Sequence, residues 1–438
     1  MADAIAADMR SLAREIFLHA LSEASIDHAF DKFVGCEGGV LRLGQDLYNL
    51  REYSRVFVVS IGKAGHTMAE ALTARVGRGA LTGIVVCPID PVMLPGFEYF
   101  RGGHPLPNEI SVKAGQAVLR VLRGMDERTL VIYMISGGAS ALCEKPISDD
   151  ISLADLIQTY RVLVHSGAPI ARINAIRKHL SALKGGRMAQ AASPARQVAI
   201  LISDVPDNAL DSLASGPIMP DSTTVDDCYA VAEKYGMVPE FPESVRRLFE
   251  QRALEETPKA GDEAFVNTRS VLASSNAMAL NYAAEKARAA GFAVTVDNSC
   301  DDWDYVAAGD YLLSRLRELR KTEPRVCLVS GGEVTVKVTG GGGAGGRNQQ
   351  IALYLATKIA GENIAVFSAG TDGIDGNSPA AGAVVDGTTM ERALAAGLNA
   401  VDALAQFDAY PFFEKIGDAV MTGPTGNNVR DLRILMAW

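Results

Sequence analysis

The chain has little of what would bind a nucleic acid, cross a membrane or build a disulfide framework. Lys and Arg together number 42 against 52 Asp and Glu, a formal net charge of −10. No basic face for a phosphate backbone is expected from that balance. No apolar run reaches the ~18 residues of a membrane span. The opening MADAIAADMRSLAREIF carries acids and an amphipathic pattern where a signal peptide would have basic and apolar blocks. Cys36, Cys87, Cys143, Cys228, Cys300 and Cys327 are scattered, with no CxxC and no zinc spacing. They read as reduced core thiols of a cytoplasmic protein. The six histidines show no metal spacing. The phosphate-binding signature GxxxxGK[ST] is missing as well, since Lys63 is followed by Ala64.

What is present is ordinary globular material: 48% apolar and 21% charged residues over 438 positions. At about 150 residues per domain, two or three domains are expected. The 42 glycines are clustered, and clusters mark places where backbone must approach a ligand or take positive φ.

Residues 4–30 read as helix. RVFVVSIG (55–62) and LVIYMI (130–135) read as buried strands that run into glycine turns and then helices. LTGIVVCP (81–88) and QVAILISDVP (197–206) read as further strands, and 111–125 as helix. From 236 the texture turns proline-rich and charged, which reads as a connecting segment. Strand–helix alternation then resumes, with RVCLVSGGEVTVKV (325–338) read as strand, Gly-Gly bend and second strand. RNQQIALYLATKIAG reads as helix, NIAVFSAG as strand, and the final stretch ends in a strand. The fold class is therefore α/β in two domains, each a mostly parallel sheet flanked by helices. Boundaries are placed at 1–235, 236–265 for the connection, and 266–438, with the C-terminal tail packing back on the first domain.

In open α/β sheets ligands bind at the carboxyl ends of strands. Five strand ends here carry Gly, Ser or Asp clusters: SIGKAG, ISGGAS, SDVPDN, SGGE and AGTDGIDG. Gly62 and Lys63 open a helix, where a cation is unfavourable unless an anion binds beside it. Ser136, Gly137, Gly138 and Ser140 have the look of an anion nest. Gly340–Gly346 holds six glycines in seven positions directly before Arg347 and Asn348. A mobile loop over phosphates, with Arg347 neutralising transition-state charge, fits that run; a flexible linker is the bland alternative. Asp204, Glu333, Asp372 and Asp375 sit at or past strand ends, where Mg²⁺ ligation, proton acceptance or simple turn capping all remain open. Arg177, Lys184 and Arg187 would share a face if 174–191 were one helix, most simply a solvated one. His104, in GGHPLPN, sits in a turn-rich loop and reads as structural.

IGKAG, GGHPLPNEISVKAG, ISGGASAL, INAIRKHLSALKGGRMA, SDVPDNALDSLASGP, SGGEVTVKV, GGRNQQ, AGTDGIDG and TGPTGNN follow one another in the order of the bacterial glycerate 2-kinases with a C-terminal MOFRL domain. The chain resembles that family over about residues 10–435. The resemblance implies phosphorylation of D-glycerate at its 2-hydroxyl with ATP and a divalent metal such as Mg²⁺, and an active site in the inter-domain cleft. It also implies roles by motif. Lys63, Asp204 and Arg347 would be catalytic, and Glu333 and Asp372 would hold metal. Gly62, Ser136, Gly137, Gly138, Ser140, Gly345, Gly346, Asn348 and Asn428 would bind nucleotide, Asn428 on the resemblance alone. A homodimer is compatible with it. The chain departs from the family pattern at SGGAS, at GGRNQQ with Gln350 in place of an acid, at Asp207-Asn208-Ala209, and at TGNN. Two rival readings use the same glycine turns. One is an NAD(P)-dependent hydroxypyruvate reductase, for which only GGGGAGG satisfies GxGxxG and no acid follows about 20 residues on. The other is a non-catalytic binder of sugar phosphates or nucleotides.

Overall fold

The computed structural model describes residues 2–438 apart from 78, 206, 340 and 341, with the side chains of 2–7, 207 and 208 also outside the described set. Two compact units result: Ala29–Ala273, and Met1–His28 together with Ser274–Trp438. The N-terminal helix thus belongs with the C-terminal half, unlike the expected division at 235.

The unit Ala29–Ala273 begins with a small antiparallel meander, β1 (Val34–Glu37), β2 (Val40–Leu43) and β3 (Asp46–Asn49). Its main sheet is built from β4 (Arg55–Ile61), β5 (Thr82–Cys87), β6 (Phe97–Arg101), β7 (Thr129–Ile135), β8 (Arg196–Ser203) and β9 (Thr268–Ser275). The order is β6-β5-β4-β7-β8-β9, and the pairings from β6 to β8 are parallel. β7 is buried along its whole length, as continuous apolar runs in covered parallel sheets should be. Successive strands move outward from β4 to β6, and then the chain returns to lay β7 on the other side of β4. The order reverses between β4 and β7. This is the switch point at which such sheets open a ligand crevice.

The segment 236–265 is not a linker. Glu243–Glu250 is a helix that buries Val245 and Phe249 in one core with Leu156, Leu163, Ile176 and Cys228. The Phe249 ring lies 5.0 Å from Phe241 and 5.7 Å from Tyr229. The charges that suggested a connection occupy its outer face, where Arg247 pairs with Glu243 at 2.6 Å. The helix expected over 174–191 also differs. It runs Ile170–His179 and a second starts at Arg187, because Gly185 and Gly186 take positive φ between them. Lys184 is buried there on Glu144, and Arg177 lies over the Tyr160 ring at 4.9 Å. These residues are packed, not a solvated basic face.

In the other unit the helix Ala2–Glu23 packs Phe17 against Phe367 at 4.8 Å between ring centroids, and Arg10 reaches Asp386 at 2.9 Å. The sheet contains β10 (Ala293–Val296), β11 (Val326–Gly331), β12 (Ile364–Gly370), β13 (Gly382–Asp386), β14 (Ala419–Val420) and β15 (Asp431–Ala437). Its order is β10-β11-β15-β12-β13-β14. Only β10–β11 is parallel; the other four pairings are antiparallel. This corrects the expectation of two mostly parallel sheets within the α/β class. The cause is the last strand, which inserts between β11 and β12 and runs against both. The tail therefore completes its own unit's sheet. Residues 332–338 form no second strand; Thr335 makes one isolated bridge to Asp304.

Among the described residues no helix is long and apolar enough to cross a membrane.

Candidate functional site

Two clusters of the expected residues form, one in each unit. The first lies at the β4/β7 switch point. After β4 the chain turns at Gly62, whose φ is +138°. A Cβ there would lie 2.1 Å from Ser136 Oγ, so only glycine lets the two strand ends touch. The turns are tied together: Lys63 N–H donates to Gly137 O at 2.9 Å and Ala64 N–H to Ser136 Oγ at 3.1 Å. Ser140 Oγ meets Ser215 Oγ at 2.9 Å. The two serines expected as ligand donors therefore brace the turn. The Lys63 side chain is exposed, and among the described residues no carboxylate lies in ion-pair reach of it.

Asp204, past β8, comes into the same place. A Cβ on Gly137 would lie 2.0 Å from Asp204 Oδ2. His104 arrives from the other side. A Cβ on Gly138 would lie 3.0 Å from His104 Cδ2 and 3.2 Å from Lys63 Cγ. Partial burial of the ring, and then the Lys63 charge, hold the His104 imidazole below the ordinary histidine pKa, although the residue as a whole is exposed. An exposed ammonium, a carboxylate and a neutral imidazole thus flank two successive glycines. Pro206 in SDVPDN lies outside the described residues.

The second cluster surrounds the start of the helix Arg347–Lys358. Because β15 runs against its neighbours, the ends of β11 and β12 flank its beginning: Gly331 pairs with Leu432 and Gly370 with Asp431. Arg347 Nε donates to Asp431 Oδ2 at 2.6 Å and Nη2 to Oδ1 at 3.1 Å, a two-point pair. Nη2 also reaches Glu333 Oε1 at 2.8 Å. Burial alone would lower the Arg347 pKa, but the Asp431 hydrogen bonds and charge hold it above the ordinary value. Burial raises the Glu333 pKa against the pull of Arg347. A Cβ on Gly370 would lie 3.1 Å from Asp372 Oδ1 and 3.5 Å from Asp431 Oδ1, so these two carboxylates are neighbours.

The glycine run differs from its expected role. Gly340 and Gly341 lie outside the described residues. In the described part, Gly343 N–H donates to Gln406 O at 3.0 Å, Ala344 N–H to Asp408 Oδ1 at 2.7 Å, and Gly345 N–H to Asn377 Oδ1 at 2.8 Å. These donors are spent on the protein, so Gly345 offers no free amide to a phosphate. A Cβ on Gly346 would lie 2.3 Å from Asp375 Oδ1. Glycine there lets Asp375 cap the helix, accepting from Asn348 N–H at 3.0 Å and Gln349 N–H at 2.8 Å. Burial pushes the Asp375 carboxyl up to about 6. Asn348 is buried, accepting from Ser368 Oγ at 2.6 Å. Asn428 Oδ1 accepts from Arg430 N–H at 3.0 Å. Asn348 and Asn428 thus both serve local structure.

Asp431 escaped the sequence reading, although an acid opening the apolar run LRILMA was its signal. Among the described residues no group of three or more His, Cys, Asp or Glu side chains is arranged to hold a metal ion. A pair of carboxylates still suits Mg²⁺, which keeps waters and phosphate oxygens for its other positions.

Comparison with known proteins agrees with these motifs. Residues 12–250 match the model of a domain of unknown function, DUF4147, and residues 326–431 match the MOFRL family. A D-glycerate 2-kinase from Thermotoga maritima is 38% identical over 392 residues, 87% of this chain and 90% of its own. A glycerate 2-kinase from Pyrococcus horikoshii is 35% identical, with 87% of each chain covered. The crystal structure of a glycerate kinase from Thermotoga maritima superposes with a TM-score of 0.84 at 35% identity, covering 98% of this chain and 100% of that one.

Proposed function

Because the chain belongs to the family marked by the DUF4147 domain with a MOFRL domain after it, we propose that it transfers the γ-phosphoryl group of ATP to the 2-hydroxyl of D-glycerate. The products are 2-phosphoglycerate and ADP. The observation that carries the reading is the gathering of Lys63 and Asp204 at the β4/β7 switch point, on glycines that allow no side chain of their own.

The chemistry asks little covalent work of the protein, so positioning and charge do most of it. Asp204 is the carboxylate that takes the hydroxyl proton as the oxygen attacks phosphorus and the bond to ADP breaks. Lys63 offsets charge on the transferred phosphoryl oxygens. Arg347 supplies a second cation, held in aim by Asp431 and Glu333. Asp372 and Glu333 are the residues that would hold Mg²⁺, with Asp431 beside Asp372. When bound, the ion supplies neutralisation of phosphate oxygens.

The reductase reading loses its remaining motif. A dinucleotide turn follows directly on a strand, but β11 ends at Gly331, well before the glycine run. The test is to incubate the purified protein with ATP, Mg²⁺ and D-glycerate and follow product by ³¹P NMR. A 2-phosphoglycerate signal is expected. No product, together with NADH consumption on hydroxypyruvate, would overturn the proposal in favour of the reductase.

A further inference from the structure

His104 does not have the surroundings of a structural histidine. A buried structural histidine such as His179 has both ring nitrogens engaged, on Ala175 O at 2.8 Å and on Glu256 Oε1 at 2.9 Å. His104 is exposed, and among the described residues its ring makes no hydrogen bond. The backbone around it is nevertheless fixed in detail. A Cβ on Gly102 would lie 2.2 Å from Leu142 O, and one on Gly103 would lie 2.4 Å from Leu106 O. The two glycines press the loop onto the turn that follows Gly138 and fold it back on itself. On its far side the loop is pinned by Ser111, whose Oγ accepts from Gly103 N–H at 2.9 Å and Asn108 N–H at 3.1 Å. Asn108 and Ser111 in turn cap the helix Glu109–Leu122 reciprocally. A segment held this tightly, ending in an imidazole with no hydrogen-bond partner among the described residues, has the form of a preorganised ligand contact.

The neighbours say what it would contact. His104 and Lys63 share Gly138, and Asp204 borders Gly137, the residue before. A 2-hydroxy acid carries its carboxylate and its hydroxyl on adjacent carbons. With the hydroxyl at Asp204, its carboxylate falls one residue on, toward the ammonium and the imidazole. We infer that His104 is a substrate-contacting residue that, with Lys63, hydrogen-bonds the carboxylate of the 2-hydroxy acid acceptor. This inference rests on the kinase reading above. The lowered His104 pKa agrees with it, because a neutral imidazole adds a directional donor without a second full charge beside Lys63. Lys63 brings three donors and serves both this carboxylate and the phosphoryl oxygens.

The test compares His104→Ala and His104→Gln in the full-length protein. His104→Ala is expected to raise KM for D-glycerate by about 10- to 100-fold, the loss of one hydrogen bond to a charged group. KM for ATP should stay unchanged, and His104→Gln, which keeps an N–H donor, should recover most of the loss. D-Glycerate should also move the wild-type imidazole ¹⁵N resonance that His104→Gln removes, a readout independent of turnover. An unchanged KM for D-glycerate in His104→Ala with an active wild type overturns the inference and leaves the kinase intact. A rise in KM for ATP alone overturns it too, by assigning His104 to the nucleotide. If the wild type makes no product, the kinase reading fails, and an unmoved His104 resonance on adding D-glycerate then overturns the contact as well.

Discussion

The strand ends at β4/β7 and those at β11/β12 handle positive charge in opposite ways. At the first, Lys63 stands exposed at a helix start, and among the described residues no carboxylate lies in ion-pair reach of it. At the second, Arg347 is bound by Asp431 and Glu333 before any ligand arrives. A bare cation contributes its full attraction to an incoming anion and little to stability. A cation already paired contributes to stability, and offers a ligand only the difference between its old and new partners. On the proposed reading, the first region would supply binding strength and the second fixed direction.

The largest expected effects break that comparison directly. Lys63→Met should lower kcat by about 10³ and Arg347→Ala by about 10², the scale of losing a charge-stabilising donor. Stability should move the other way. Lys63→Met should leave the thermal midpoint unchanged, since it removes an exposed cation that makes no ion pair among the described residues. Arg347→Ala leaves Asp431, 1% exposed, without its partner and should cost about 2 kcal/mol in denaturant unfolding. Equal losses of stability in the two variants would show that the two regions do not differ in this way.

Two glycines sharpen the same contrast at smaller scale. Gly137→Ala drives a methyl at Asp204, so kcat should fall about tenfold with little change in unfolding. Gly346→Ala drives one at the Asp375 cap and at the Asp375 backbone, 2.4 Å away, so unfolding should become easier by about 1–3 kcal/mol while KM for D-glycerate holds. Steady-state kinetics and urea titration on the two proteins would reveal an inverted pattern if the assignment is wrong.

What sequence could show follows from range. β4, β7 and the turns after them are legible because buried parallel strands are uninterrupted apolar runs and glycine marks the turns. Lys63, Asp204, Glu333 and Asp372 stand out because each follows a buried apolar strand, parallel or not. The place of β15 is not, because nothing local says that a C-terminal strand inserts between β11 and β12. With it went Asp431 and the antiparallel character of that sheet. The glycine run misled for a related reason. Its partners, Asp375, Asn377 and Asp408, are distant in sequence, so a packing requirement looked like mobility. In 236–265, charge on one face of a short helix hid Val245 and Phe249 on the other.

The smallest effect concerns Asp375, the acid that the second region uses only to hold its helix. Its folded pKa is about 6, against an ordinary value near 4 for an unfolded aspartate. Between those values the folded state binds the extra proton, so this group's contribution to stability grows as pH falls from about 6 toward 4 and is lost as pH rises back through 6. The slope is at most about 1.4 kcal/mol per pH unit. Other carboxylates titrate in the same window, and Asp375→Asn separates them because it removes one titration and leaves the rest. Urea unfolding of both proteins at pH 7 and pH 5 should therefore show the wild type gaining about 1 kcal/mol on the variant at the lower pH. A constant difference between them would mean that Asp375 stays ionised through this range, stabilised by the helix amides more than burial penalises it. In that case the start of the Arg347 helix would favour negative charge, and the contrast with the bare cation at Lys63 would extend from the arginine to the backbone that carries it.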